Sequence, residues 1–153
     1  MSISLTSTAF AEGAPIPAEY SCMGRRISPP LAWSNPPTGT KSLALIMDDP
    51  DAPVGTFVHW VIYNIPASSL GLPEAISPTK VQLADGSVQG NNGAGQAGYT
   101  APCPPSGTHR YFFKLYALNT VLSLPAGATK DQLLKAMEGH ILSSSELMGT
   151  FSK

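Results

Sequence analysis

Short apolar runs of strand length, and a single stripe at helical spacing, dominate the pattern of this chain. Ser42–Met47 is apolar at nearly every position, which predicts a central strand covered on both faces. Phe57–Ile65 has the same character and is rich in β-branched and aromatic residues. Tyr111–Leu118 is the third strong strand, with Leu31-Ala32-Trp33 and Glu146–Phe151 as weaker ones. Ser2–Ala9 alternates polar with apolar and predicts a first strand. Turn signals separate these runs at Ser28-Pro29-Pro30, Asn35-Pro36-Pro37, Asp49-Pro50 and Ile65-Pro66.

One helix is predicted. Thr129-Lys130-Asp131-Gln132 fits a capping box, Leu133, Leu134 and Met137 follow at helical spacing, and Gly139 suits the C-terminal cap. Such a stripe is read as packing against the edge of a sheet. Asp85–Ser106 shows no periodicity and is crowded with glycine and proline. A loop of that length inside a compact domain is usually functional. No internal repeat or domain boundary appears, so residues 1–153 are read as one domain.

Composition narrows the class. With 15 prolines and 14 glycines in 153 residues, many turns and little helix are expected. A net charge of −1 offers no field for nucleic acid or acidic lipid, so any anion site must be local. No apolar run is long enough to span a membrane. Ala9-Phe10-Ala11 resembles a processing site but lacks a basic start and an apolar run before it. The expectation is an unexported, cytoplasmic protein in which Cys22 and Cys103 are reduced by default.

Candidate chemistry gathers at strand ends. Asp48, Asp49 and Asp51 follow the central strand within one proline-stiffened turn, and like charges this close need cations or hydrogen bonds. The plain alternative is a solvated acidic turn. His59 and His109 each begin an aromatic-rich strand. Period two places His109 with Tyr111 and Phe113, and turns Arg110 and Phe112 away. The same rule groups His59 with Val61 and Tyr63, opposite Trp60 and Ile62. Asp49, His59, His109 and Tyr111 could form a small anion cradle, with protonated imidazoles and a phenol as donors and the glycine-rich loop adding backbone N–H groups.

Other chemistries fit less well. Two histidines and a carboxylate suit zinc or iron, but no His-x-His or His-x-Asp pair presents two ligands from one strand. No Gly-x-Ser-x-Gly elbow exists, and Cys103 near His109 is a weaker nucleophile candidate. No metal, cofactor or catalytic residue is therefore assigned, and the expected protein is not an enzyme.

Five ordered blocks resemble one family. Ser28–Trp33, Gly39–Leu43, Asp49-Pro50-Asp51-Ala52-Pro53, His59–Pro66, and Gly98-Tyr99 with Pro102–Tyr111 are similar to the signature regions of the phosphatidylethanolamine-binding proteins, which include the Raf kinase inhibitor proteins. The resemblance implies a mainly β fold: a large central antiparallel sheet packed on a smaller one, with a few short peripheral helices. It implies a pocket for phosphate, phosphorylethanolamine or a similar anion, with Asp49, His59, His109 and Tyr111 at its centre. Pro50 and Pro102 would line or shape it, Gly98 would belong to a glycine-rich wall, and Asp51 would sit nearer the periphery. The five-residue spacer before His59 and the end at Lys153 look like the short bacterial and archaeal branch, whose members are expected to be homodimers. The leading expectation is non-enzymatic binding of a small phosphorylated or anionic ligand. The alternative is a protein-interaction regulator, such as a protease or kinase inhibitor.

Overall fold

The computed structural model describes residues 3–153. The strand expected over Ser2–Ala9 is short, β1 at Leu5–Thr6, and Ser2 lies outside the described residues. Then come β2 (Leu31–Trp33), β3 (Ser42–Asp49), β4 (Phe57–Pro66), β5 (Gly71–Leu72), β6 (Val88–Gln89), β7 (Thr108–Leu118), α1 (Lys130–Met137) and β8 (Ile141–Ser152). Two antiparallel sheets result, one ordered β1-β2-β5 and the other β6-β4-β3-β7-β8. The mainly β fold, with a large sheet packed on a small one, is as expected.

The central position of β3 explains its composition. All eight of its residues are buried, because apolar layers cover both faces of the large sheet. Leu43, Leu45 and Met47 join Trp60, Ile62, Phe113 and Leu115 against Leu5, Leu31, Trp33 and Leu72 of the small sheet. Ala44 and Ile46 join Val61, Tyr63 and Leu118 against Leu133 and Met137 of α1. Each side chain of this size contributes about 1.5–3 kcal/mol when fully buried. The helix starts as its sequence predicts: Thr129 accepts from the Gln132 N–H, and the Gln132 side chain accepts from the Thr129 N–H.

One irregularity re-aims a candidate residue. Met47 pairs with Trp60, but Asp48 pairs with Val58, so His59 is the extra residue of a β-bulge. The bulge inverts the alternation on its N-terminal side. Val58 packs with the α1 layer, whereas His59 faces the side occupied by Tyr111. The expected grouping of His59 with Val61 and Tyr63 is therefore corrected: those two face α1, and His59 lies on the opposite face with Trp60.

The long Asp85–Ser106 segment is not structureless. Val88–Gln89 pairs with Ile62 and Tyr63 of β4, and Asn91 bridges Ala97. Its glycines serve this packing. The Gly90 N–H donates to the Val61 carbonyl, and the Gly93 N–H to that of Val58. A Cβ at Gly90 would sit 2.2 Å from the Ala128 carbonyl oxygen, so only glycine lets this segment approach the chain leading into α1 so closely.

Cys22 and Cys103 form a disulfide, with their Cα atoms 5.4 Å apart. This overturns the expectation of two reduced thiols. The bond ties the segment before β7 to the 3-10 turn at Ala18–Tyr20, where the Cys22 N–H also donates to Pro102 and the Tyr99 hydroxyl to the Tyr20 carbonyl.

Candidate functional site

Three strand ends meet at one edge of the large sheet: β3 finishes at Asp49, β4 begins at Phe57 and β7 begins at Thr108. There the three aspartates of the acidic turn find separate hydrogen-bonding partners, which explains how they coexist. Asp48, 1% exposed, turns toward α1 and accepts from Lys130 at 2.7 Å and Lys114 at 3.3 Å. Asp49, 3% exposed, turns the other way and meets Nδ1 of His109 at 2.6 Å. Asp51 grips Arg110 through Nε, Nη2 and the backbone N–H, all at 2.9 Å. The Arg110 fork holds the Asp51 carboxyl down at about 2. Asp48 and Asp49 are thus no solvated turn.

A cavity of about 260 Å³ opens over Asp49, His59, His109 and Tyr111. The Asp49 carboxylate is fixed twice, since its Oδ1 also accepts the Asp51 N–H at 2.8 Å. His59 donates from Nδ1 to the Thr100 carbonyl at 2.7 Å, while the Thr100 N–H donates back to the His59 carbonyl. The Tyr111 ring stands edge-on to His59 at 5.2 Å and roughly parallel to His109 at 6.4 Å.

Hydrogen bonding decides which atoms face the cavity. Both imidazoles use Nδ1 on protein acceptors, so each neutral ring carries its proton there. Neither Nε2 nor the Tyr111 hydroxyl has a protein partner. Among the described residues no sealed side-chain nitrogen or oxygen lacks one, so these three atoms open toward solvent. Burial pushes the His59 ring below the usual imidazole range, and the nearby Asp49 charge only partly opposes this. Burial likewise raises the Tyr111 phenol, keeping it a neutral O–H donor. The protonated pair expected from sequence is therefore revised: His59 is neutral at neutral pH.

The rest of the predicted lining lies elsewhere. Pro50 borders a separate hollow on the opposite face, beside Asp48, Lys114 and Lys130. Gly98 sits behind the wall at φ +93°, where a Cβ would meet the Pro78 carbonyl oxygen at 2.7 Å. Pro102 is buried, and its carbonyl serves Cys22. Gly90, Gly93, Gly95 and Gly98 of the long loop offer no donors here, because their N–H groups bond to carbonyls within the chain. The actual wall is Thr100, Ala101, Cys103, Pro104 and Pro105, facing Ala52, Pro53 and Phe57. Sequence reasoning missed most of these because they carry no chemistry of their own. Among the described residues, no three of His, Cys, Asp and Glu cluster closely enough to hold a metal. Among the described residues, no helix is long and apolar enough to cross a membrane.

The family model of the phosphatidylethanolamine-binding proteins matches residues 6–152. A curated relative named UPF0098 protein, from Methanothermobacter thermautotrophicus, is 54% identical over 151 residues, covering 99% of both chains. A solved structure described as a putative phosphatidylethanolamine-binding protein homolog from Chlamydia trachomatis superposes with a TM-score of 0.92 at 48% identity, over 99% of this chain and 98% of the other. YbcL of E. coli, described as a new member of the mammalian family, gives 0.91 at 31% identity over 100% and 99%. The chain therefore belongs to the phosphatidylethanolamine-binding protein family.

Proposed function

We propose that this protein binds a small oxyanion, phosphate or carboxylate, between His59, His109 and Tyr111, without acting as a catalyst. The supporting observation is the set of three unpartnered polar atoms, two Nε2 and one phenol oxygen, that share one cavity while each Nδ1 is tied down. Asp49 is a positioning residue. It fixes the tautomer and orientation of His109, and it pairs with that ring as a salt bridge when the ring is charged.

This arrangement makes binding proton-linked. A neutral ring with its proton on Nδ1 offers a lone pair at Nε2, which repels an oxyanion. The anion must then bring a proton, as an acid O–H, or the ring must gain one. Because burial holds His59 below the ordinary imidazole range, the ring enters the complex uncharged at neutral pH. Affinity should therefore rise as pH falls, by about tenfold per pH unit for each proton taken up, until the free rings titrate. Calorimetry with inorganic phosphate and acetate across the imidazole range measures this directly. Affinity that is flat or rises with pH would refute the reading.

The Cys22–Cys103 bond bears on where the protein works. A disulfide persists in an oxidising compartment more readily than in the reducing cytoplasm expected from the sequence. We accordingly propose an oxidising environment for the folded, binding-competent form.

A further inference from the structure

The cavity is chemically lopsided. Its titratable groups are on Asp49, His59, His109 and Tyr111, which form the base, and Thr100 and the disulfide-bonded Cys103 also line it. The upper wall is Ala52, Pro53, Phe57, Ala101, Pro104 and Pro105, which present only carbon to the interior apart from backbone groups. No lysine or arginine lines it. Arg110, next to His109 in sequence, turns outward into the Asp51 fork and lies 5.6 Å from the centre of the Phe112 ring. Beyond Pro53, at the tip of the turn, Val54 is 99% exposed.

Size matters as well as polarity. A volume of about 260 Å³ corresponds to roughly eight or nine waters at about 30 Å³ each. A tetrahedral oxyanion has five heavy atoms and a carboxylate fewer, so either one at the base leaves the upper part of the cavity to be filled by something else. What fills it meets proline, alanine and the Phe57 ring. Water there finds few hydrogen-bond partners and is released favourably by apolar surface. An ammonium group would lose hydration with no free counter-charge, since Asp49 is already committed to His109 and to the Asp51 N–H. Phe57 stands edge-on to His59 at 4.9 Å, so it borders the base and can meet the body of a ligand whose acid group reaches the imidazoles.

We infer that the pocket takes its oxyanion attached to a compact aromatic body, an aryl carboxylate or aryl phosphomonoester, in preference to a free anion or an ammonium-bearing headgroup. This rests on the oxyanion reading above and adds the identity of what the anion is attached to. Phe57 and the three lining prolines, Pro53, Pro104 and Pro105, determine that preference.

The test uses matched pairs of ligands on the intact, oxidised protein at about pH 6, near the imidazole range. Affinities are measured by calorimetry for acetate against benzoate and for inorganic phosphate against phenylphosphate, with phosphorylethanolamine as the ammonium-bearing probe. The expected result is a gain of about tenfold for the aryl member of at least one pair, equivalent to about 1.4 kcal/mol. The pair that shows it distinguishes a carboxylate from a phosphate ligand. Phosphorylethanolamine should bind no more tightly than inorganic phosphate. In Phe57→Thr the aryl gain should shrink toward parity; this ratio is insensitive to any loss common to both ligands. Acetate and phosphate binding with no aryl gain, or phosphorylethanolamine binding more tightly than phenylphosphate, would overturn the inference and leave the oxyanion reading standing. An aryl gain undiminished in Phe57→Thr would also overturn it. If none of the five ligands binds, both fall together.

Discussion

Removing the Cys22–Cys103 bond should cost about 4.5 kcal/mol of stability, the chain-entropy value for a sequence separation of 81. For a domain of this size that corresponds to a fall of roughly 10 °C in melting temperature. The bond also holds a wall of the site. Cys103 lines the cavity between Ala101 and Pro104, and the segment is otherwise anchored by the Thr100–His59 pair of backbone hydrogen bonds and the Cys22–Pro102 bond. Once the disulfide is lost, Cys103–Pro105 can move away from Pro53. Anion affinity should then drop severalfold, although neither cysteine donates a hydrogen bond to the ligand. Thermal unfolding of the wild type with and without reductant, beside a Cys22→Ser/Cys103→Ser variant, checks this. The wild type should become reductant-sensitive and the variant should not. Equal melting temperatures for all three would show that the staple contributes nothing.

Asp49→Asn should weaken oxyanion binding by about 10- to 100-fold, from the roughly 1.5–3 kcal/mol carried by a hydrogen bond to a charged partner. The sign is informative because simple Coulomb reasoning gives the opposite. Deleting a negative charge beside an anion site should strengthen binding if the carboxylate merely repels the ligand. In this site Asp49 Oδ2 accepts from His109 Nδ1 at 2.6 Å, and the charged ring that an oxyanion needs depends on that acceptor being ionised. A neutral amide keeps the shape and loses the pairing. The Asp51 N–H bond to residue 49 can be kept by the amide oxygen, so the turn should survive, which circular dichroism and the melting temperature would report. Tighter phosphate binding in Asp49→Asn would overturn the role given to this residue.

Much of this architecture can be read from residue patterns, and the failures have identifiable causes. The all-buried β3 follows from an apolar run with no polar face, and the start of α1 from Thr129 and Gln132. The shared orientation of His109 and Tyr111 follows from period two along an unbroken strand. Alternation puts His59 on the wrong face, because it assumes one residue per rung and the bulge opposite Met47 and Asp48 adds another. The disulfide was invisible because two cysteines 81 residues apart carry no distance information, and compartment statistics favoured free thiols. Pro50, Gly98 and Pro102 came from resemblance, which fixes position along the chain but not which way a turn faces. The glycines of the long loop suggested donors for a ligand, yet carbonyls of β4 (for Gly90 and Gly93) and of the loop itself (for Gly95 and Gly98) took their N–H groups first. The apolar wall was missed because proline, alanine and Phe57 acquire a role only from the three-dimensional arrangement.

The central claim is that two imidazoles, locked at Nδ1, aim their Nε2 atoms into one cavity, and that the neutral His59 ring becomes a donor only when an oxyanion arrives. Side-chain ¹⁵N NMR of His59 and His109, recorded without and with saturating phosphate, reads those atoms directly. In the free protein His59 should show the neutral Nδ1–H tautomer, and phosphate should move its Nε2 resonance toward the protonated position. A free His59 ring protonated at Nε2 instead, or a resonance that ignores phosphate, would contradict the account.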